Sequence, residues 1–443
     1  MRFVLDVLYL LAGVLLLPVL AYQRFVKGKR RGGWGERFGR LPARTSAEPA
    51  IWIHAVSLGE TNATRGLVDA LAKAIPDCPI VISATTDTGY ARARQLYPDH
   101  YVFRYPLDLS CVVRRVLRTV RPALIALMEL EVWPNLIDLA ARQGIPVAVV
   151  NGRLTEHGSM RPFRKPIVRS LARRMFRRLA WVGAQNETYA ERFRELGVPA
   201  EHIQIAGTLK WDTAQIADDL PGTAALAEAL GIDCGRPLWV FGQSGPGEER
   251  IALDTLRILR GTVPDVQLAI VPRKPERFDE VAALIADAGW SFVRRSNRPD
   301  GSAPPATRPD VILGDTMGEL RKFYCLAKAV FVGRSIAPMG GSDVIEVAAL
   351  ARPIVVGPHT ENFADSVAEL AAAGGLRVCE TDVTRPDAAE TLAASMRDLL
   401  ADATASSRMG LAARQVVQQN QGVTQRTVDA LAELVYRAQH RCS

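Results

Sequence analysis

The chain places carboxylates directly behind apolar runs, where they could do chemistry. Residues Met128–Asn135 read MELEVWPN, so Glu129 and Glu131 follow an apolar run at once, beside a tryptophan and a proline. A carboxylate at a strand end suits the work of an acid, a base or an orienting group. One of the two is also suited to capping the helix that follows. A second apolar run ends in SLGET, Ser57–Thr61. Ser57, Gly59 and Glu60 there fit an anion cradle, with Gly59 letting the backbone close in on a ligand at a helix start. The same residues fit a plain strand–turn–helix with Glu60 at the favourable helix end. A further acid, Glu36, lies in KGKRRGGWGERFGRLP, residues 27–42, behind Lys27, Lys29, Arg30 and Arg31. By itself it reads as a surface acid paired with Arg37.

The second half carries anion-binding chemistry. FGQSGPGEE, Phe241–Glu249, is a glycine-rich turn around Ser244 that opens a helix and suits phosphate. VPRKPERF sets Arg273, Lys274 and Arg277 at a strand end, either as an anion site or as a solvated basic turn. GDTMGEL, Gly314–Leu320, holds Met317 in another such turn. In VGRSIAPMGGSDVIEVAALARPIVVGP, Gly340 and Gly341 precede Ser342 at an expected helix start, and Glu346 lies about one turn on. A glycine pair brings backbone N–H groups to a phosphate, and a carboxylate on the same helix can take a ribose hydroxyl pair. HExxH, GxSxG and DxD patterns are absent from the sequence, so metal chemistry and serine hydrolysis gain no support.

These turns need a scaffold that aims strand ends. Short apolar runs, IWIHAV, PIVISA, ALIALM, PVAVV and LAWVGA, alternate with amphipathic stretches, and IQIAGTLKWD closes that half. Unalternated runs suit parallel strands covered on both faces. The rhythm restarts with PLWVFGQ, VQLAIV, DVILG, AVFVG and PIVVG. The expectation is an α/β protein of two Rossmann-like lobes facing a cleft. The lobes would span 25–215 and 216–420, followed by a helix at 421–443. Ligands in such sheets sit at the carboxyl ends of strands. Residues 298–310, RPDGSAPPATRPD, read as a surface loop.

Composition bounds the partners. The 443 residues are 48% hydrophobic and 23% charged, with a net charge of +8, which favours anionic ligands. Aromatics are not interleaved with cations, which argues against nucleic acid. Six scattered cysteines read as reduced thiols. Phe3–Tyr22 is about one bilayer span of mostly apolar residues, interrupted by Asp6 and Pro18. No small-residue cleavage site follows it, so residues 1–24 read as an uncleaved membrane anchor, spanning or lying in the leaflet. The cations behind it predict a cytoplasmic body at the inner membrane. Lys27–Arg31 fit anionic lipid headgroups.

The ordered set HAVSLGET, MELEVWPN, NGRLT, AGTLKWD, PRKPERF, GDTMGEL, GGSDVIE and GPHTENF resembles the 3-deoxy-D-manno-octulosonic acid (Kdo) transferases, two-lobed GT-B glycosyltransferases of lipopolysaccharide assembly. The resemblance covers roughly Gly35 to Phe363 and includes the anchor. It implies inverting transfer of Kdo from CMP-Kdo to a phosphorylated, acylated lipid A precursor, with no metal or other cofactor. It implies Glu36 as base and Glu129 as a second essential acid. It implies donor contacts at Ser244, Arg273, Met317, Gly340, Gly341, Ser342 and Glu346, and contacts near the sugar or acceptor at Ser57, Gly59 and Glu60. Two positions depart from the family pattern: Gly245 and Ser342 stand where histidines are usual. That leaves, as an alternative, a GT-B enzyme using another nucleotide sugar on a membrane lipid.

Overall fold

The computed structural model describes residues 2–25 and 32–440. The chain forms two compact units, Met1–Thr213 with Gly422–Ser443, and Ala214–Gln421.

The first unit holds a seven-stranded parallel sheet in the order β3-β2-β1-β4-β5-β6-β7. The strands are β1 (Ala50–Ala55), β2 (Ile80–Ala84), β3 (Tyr101–Arg104), β4 (Pro122–Met128), β5 (Val147–Gly152), β6 (Trp181–Ala184) and β7 (Ile203–Ile205). Every residue of β1 is buried, as both faces are covered. The chain steps outward from β1 to β3, then returns to lay β4 beside β1. The β1/β4 boundary is therefore the topological switch point, where ligands bind in such sheets.

One sheet face is covered by α6 (Ser110–Val120), α7 (Pro134–Arg142), α8 (Pro166–Phe176) and α9 (Glu187–Glu195), whose apolar faces share a core with Trp52, Phe103 and Ile125. Earlier in the chain come α1 (Arg2–Phe25), α2 (Trp34–Arg37), α3 (Leu58–Ala63), α4 (Arg65–Ala74) and α5 (Asp87–Leu96). The C-terminal helix Val423–His440 completes the first unit: Val423, Val428, Leu431 and Val435 join Leu67 and Leu71 of α4 in the core on the other face. It is thus part of this unit rather than a segment of its own.

Among the described residues no helix is long and apolar enough to cross a membrane. The polar break in α1 has a structural use. Asp6 Oδ1 accepts from the Ser110 backbone N–H at 2.8 Å and from Asn135 Nδ2 at 3.0 Å. The Ser110 hydroxyl donates to its other oxygen. Asp6 thus caps α6 and touches the start of α7, satisfying otherwise orphan N–H groups. The cationic stretch Lys27–Arg31 lies outside the described residues.

The second unit repeats the design in the order β10-β11-β9-β8-β12-β13-β14. Its strands are β8 (Leu238–Ser244), β9 (Gln267–Pro272), β10 (Phe292–Arg294), β11 (Val311–Leu313), β12 (Ala329–Val332), β13 (Ile354–Val356) and β14 (Leu376–Val378). Its switch point lies between β8 and β12.

Candidate active site

At the first switch point, β1 runs into α3 through Ser57, whose hydroxyl caps the helix by accepting from the Glu60 N–H. Glu60 answers: Oε1 accepts from the Ser57 hydroxyl at 3.0 Å and Oε2 from the Val56 N–H at 2.9 Å. This reciprocal cap explains why S-x-x-E follows an apolar run. A Cβ added at Gly59 would meet only Ser57 Oγ, at 3.9 Å, so the turn opens onto free space.

Beside it, β4 ends in Glu129, which has a positive φ of 55° while its N–H still reaches Val150 O at 2.9 Å. A left-handed conformation is costly for a residue with a Cβ, and such strain collects at functional sites. Burial pushes the Glu60 carboxyl up to about 7, and the charges of Glu129 and Glu131 add to the rise. Burial raises Glu131 as well, against a hydrogen bond from Trp133 Nε1 at 2.9 Å. Three carboxylates therefore lie close enough at the switch point to act on one another.

Below them lies His54, a residue that periodicity absorbs into a buried strand. Its ring stacks on Tyr105 at 3.8 Å, its Nδ1 is 2.9 Å from Ser83 Oγ, and its Nε2 is 4.0 Å from Glu131. Burial pushes the imidazole down to about 3, so the neutral ring is a neighbour of the carboxylates and not a counter-ion.

Glu36 stands elsewhere. It sits on α2 over the end of the edge strand β3, where Oε2 accepts from the Arg104 N–H at 2.7 Å and Oε1 lies 3.7 Å from the Arg104 guanidinium. Arg37, expected beside it, donates through Nη2 to Thr85 O at 2.8 Å.

In the second unit the strand-end turns are fixed by buried ion pairs and carboxylates. The glycine-rich turn after β8 was expected to cradle phosphate, but the chain fills it with its own acid. Glu248 accepts from the backbone N–H groups of Gly245 (2.8 Å), Arg334 (2.6 Å), Ser335 (3.0 Å), Ile336 (3.0 Å) and Ala337 (3.2 Å). Ser244 is buried as well, its hydroxyl donating to Glu249 Oε1 at 2.7 Å, and Glu249 is gripped by Arg277. A Cβ added at Gly245 would lie 2.7 Å from Met339 Sδ, so Met339 takes the space of a side chain there.

Other donor candidates remain available. Arg273 is exposed at the end of β9 and bonds Gln243 through Nη1. Met317 is 69% exposed at a turn tip whose flanks are pinned, Asp315 by Ser296 and Arg294, Glu319 by Thr316 and Arg295. Gly340 and Gly341 have φ of 80° and 77°, which favours glycine, and a Cβ at Gly340 would strike Asn362 Nδ2 at 2.1 Å. The glycine pair thus packs against the GPHTENF turn. The helix behind them starts later than expected, at Ile345–Ala349, with Asp343 accepting from the Ile345 N–H at 2.9 Å. Ser342 is left in the preceding loop with its hydroxyl buried and unpartnered. Glu346 is half-buried, and burial raises its carboxyl.

Comparison with known proteins bears on these sites. Residues 32–213 match the family described as 3-deoxy-D-manno-octulosonic-acid transferase (kdotransferase). The 3-deoxy-D-manno-octulosonic acid transferase of Bordetella pertussis is 35% identical over 435 residues, covering 94% of this chain and 96% of its own. That of Haemophilus influenzae is 32% identical over 439 residues, covering 98% and 99%. Among solved structures, Acinetobacter baumannii MurG superposes with a TM-score of 0.56 at 15% identity, covering 87% of this chain and 99% of that one, a likeness of fold. With a relative this similar along nearly the whole length of both chains, the protein belongs to the 3-deoxy-D-manno-octulosonic acid transferase family of glycosyltransferases.

Proposed function

We infer that the protein transfers Kdo from CMP-Kdo, with inversion at the anomeric carbon, to a hydroxyl of a phosphorylated, acylated lipid A precursor. The reaction serves lipopolysaccharide synthesis at the cytoplasmic face of the inner membrane. The observation that carries the reading is the carboxylate cluster Glu60–Glu129–Glu131 at the switch point of a chain from this family.

An inverting transfer needs one base to take the acceptor proton as the new bond forms. We assign that base to Glu60 rather than Glu36. A carboxyl raised by burial to about 7 has the proton affinity a base needs near neutral pH. Glu36 is paired with the Arg104 guanidinium at the sheet edge, a cation that favours its ionised form, and it also fixes α2 there. Glu129 orients the sugar or acceptor, and Ser57 holds Glu60. Developing negative charge on the departing CMP is met by Arg273, with the Ser342 hydroxyl, buried without a partner, as a further phosphate donor. Met317 and Glu346 line the nucleoside. The transfer as proposed needs no cofactor.

The packing of Met339 against Gly245 favours attention to a second reading, in which another nucleotide sugar is the donor. Thermal-shift titration with CMP, UDP and GDP decides between them. Stabilisation by CMP above the other two supports CMP-Kdo, and preference for UDP or GDP overturns it.

A further inference from the structure

At the second switch point the strand ends have spent most of their amides. The backbone N–H groups of Gly245 and of residues 334–337 all bond Glu248. That of Gly333 bonds Gly242 O at 2.8 Å, and that of Gly341 bonds Arg334 O at 2.8 Å. An oxyanion arriving there must be met by side chains, because the nest of N–H groups that would otherwise hold it is already filled. A guanidinium, with its planar fork of donors, is the side chain best suited to that work.

The two strands that meet here each lead into a non-glycine residue with left-handed backbone: Gln243 in β8, with φ of 57°, and Arg334 just past β12, with φ of 63°. Such backbone is costly beside a Cβ and collects where function holds it. Both residues serve a guanidinium. Gln243 Oε1 accepts from Arg273 Nη1, and Arg334 carries its own. The Arg334 side chain lies over the glycine-rich turn, its Cγ 3.4 Å from where a Cβ on Gly245 would stand, and its Nη2 donates to Met339 O at 3.2 Å. Its Nε is buried without a partner. Desolvation and then the Arg334 charge lower Arg273 from the usual guanidinium range, with Tyr324 and Asp343 opposing. Neither arginine is joined to a carboxylate among the described residues, so two cations near enough to repel leave charge for an anion to take.

We propose that Arg334 is a second cation of the donor site, closing on the nucleotide phosphate together with Arg273, and that its left-handed backbone is the strain this placement costs. The proposal rests on the reading of a nucleotide-sugar donor. Nucleotide binding is measured without turnover and with three bases, so the two can fail separately.

The test is calorimetric titration of the full chain with CMP against cytidine, UMP against uridine and GMP against guanosine. A charge-assisted bond to phosphate is worth about ten- to hundredfold in affinity, so Arg334→Gly should bind CMP weaker by that factor and cytidine within twofold of the parent. Glycine accepts a φ of 63° without strain, so the same variant should melt no lower than the parent, which guards against misfolding as the cause of the loss. Arg334→Lys, which keeps the charge and loses the fork, should fall between the two. Equal CMP binding by parent and Arg334→Gly would overturn the proposal, even with a raised KM for the whole donor, since Arg334 would then meet the sugar's carboxylate. So would equal losses for CMP and cytidine, or a lower melting point with the CMP-to-cytidine ratio kept, the mark of a purely structural residue. UMP or GMP bound ahead of CMP with the same dependence on Arg334 would support the phosphate contact while overturning CMP-Kdo as the donor. A parent that binds none of the three monophosphates would overturn both.

Discussion

The backbone N–H of Arg104 donates to Oε2 of Glu36 at 2.7 Å, joining a short helix near the N-terminus to the end of an edge strand 68 residues on. Glu36→Gln keeps an acceptor for that N–H and loses only the ionic component, about 0.5–1 kcal/mol for a pair of this exposure. We expect kcat to fall less than tenfold. Glu60→Gln, by contrast, should lower kcat by about 10²–10⁴ with little change in KM. Steady-state kinetics of the two variants side by side would reverse the assignment if Glu36→Gln were the more damaging.

The pH dependence follows from Glu60. A base must be ionised, so kcat/KM should fall about tenfold per pH unit below about 7 and level off above it. Stability should move the other way. Between 4.5 and about 7 the folded protein holds a proton on Glu60 that the unfolded chain releases, so raising the pH through this window weakens folding. Glu60→Gln should therefore melt higher than the parent at pH 8, by a margin on the order of 2–3 kcal/mol at most, closing toward pH 5. A gap that widens at low pH would contradict the assigned environment.

Ser342 and Ser244 should separate cleanly. The Ser342 hydroxyl is buried without a partner, so Ser342→Ala should leave stability level or improve it by about 1 kcal/mol, while raising the donor KM about tenfold. The Ser244 hydroxyl is bonded to Glu249, so Ser244→Ala should cost about 1 kcal/mol of stability and leave the donor KM within twofold. Melting curves paired with donor titration check both.

Asp6→Ala should loosen the N-terminal helix. It removes the acceptor for the Ser110 and Asn135 donors, a loss of about 1–2 kcal/mol of the kind seen for helix caps. Hydrogen exchange should accelerate at the start of α6 and of α7, with the β-sheet unaffected. Unchanged protection there would remove Asp6 from this role.

The sequence was most legible where strands are central. The runs at β1, β4, β5, β8, β9 and β12 are apolar because both faces of the sheet are covered, and their turns carry the candidate residues. Three strands had no such signal: YVFR at β3, FVR at β10 and LRV at β14. Each is a short edge strand, where charged side chains are tolerated and the apolar run breaks. Glu36 depended on β3, so its partner was hidden with that strand. Glu60 was visible as a helix-start acid, but its proton affinity was not, because Glu129 and Glu131 are about seventy residues away in the sequence and meet it only where β4 lies beside β1. The glycine-rich turn after β8 looked open to phosphate because nothing in its local pattern says that Glu248 turns back onto five N–H groups, four of them after β12.

Kdo transfer to the lipid A precursor can be read from its product. Mass spectrometry of the lipid recovered after incubating the purified protein with CMP-Kdo and tetra-acylated lipid A precursor tests it directly. The expected result is lipid heavier by one or more Kdo residues, with CMP released in equal number and the product lost in Glu60→Gln. Unaltered lipid, from protein that binds both substrates, would contradict it.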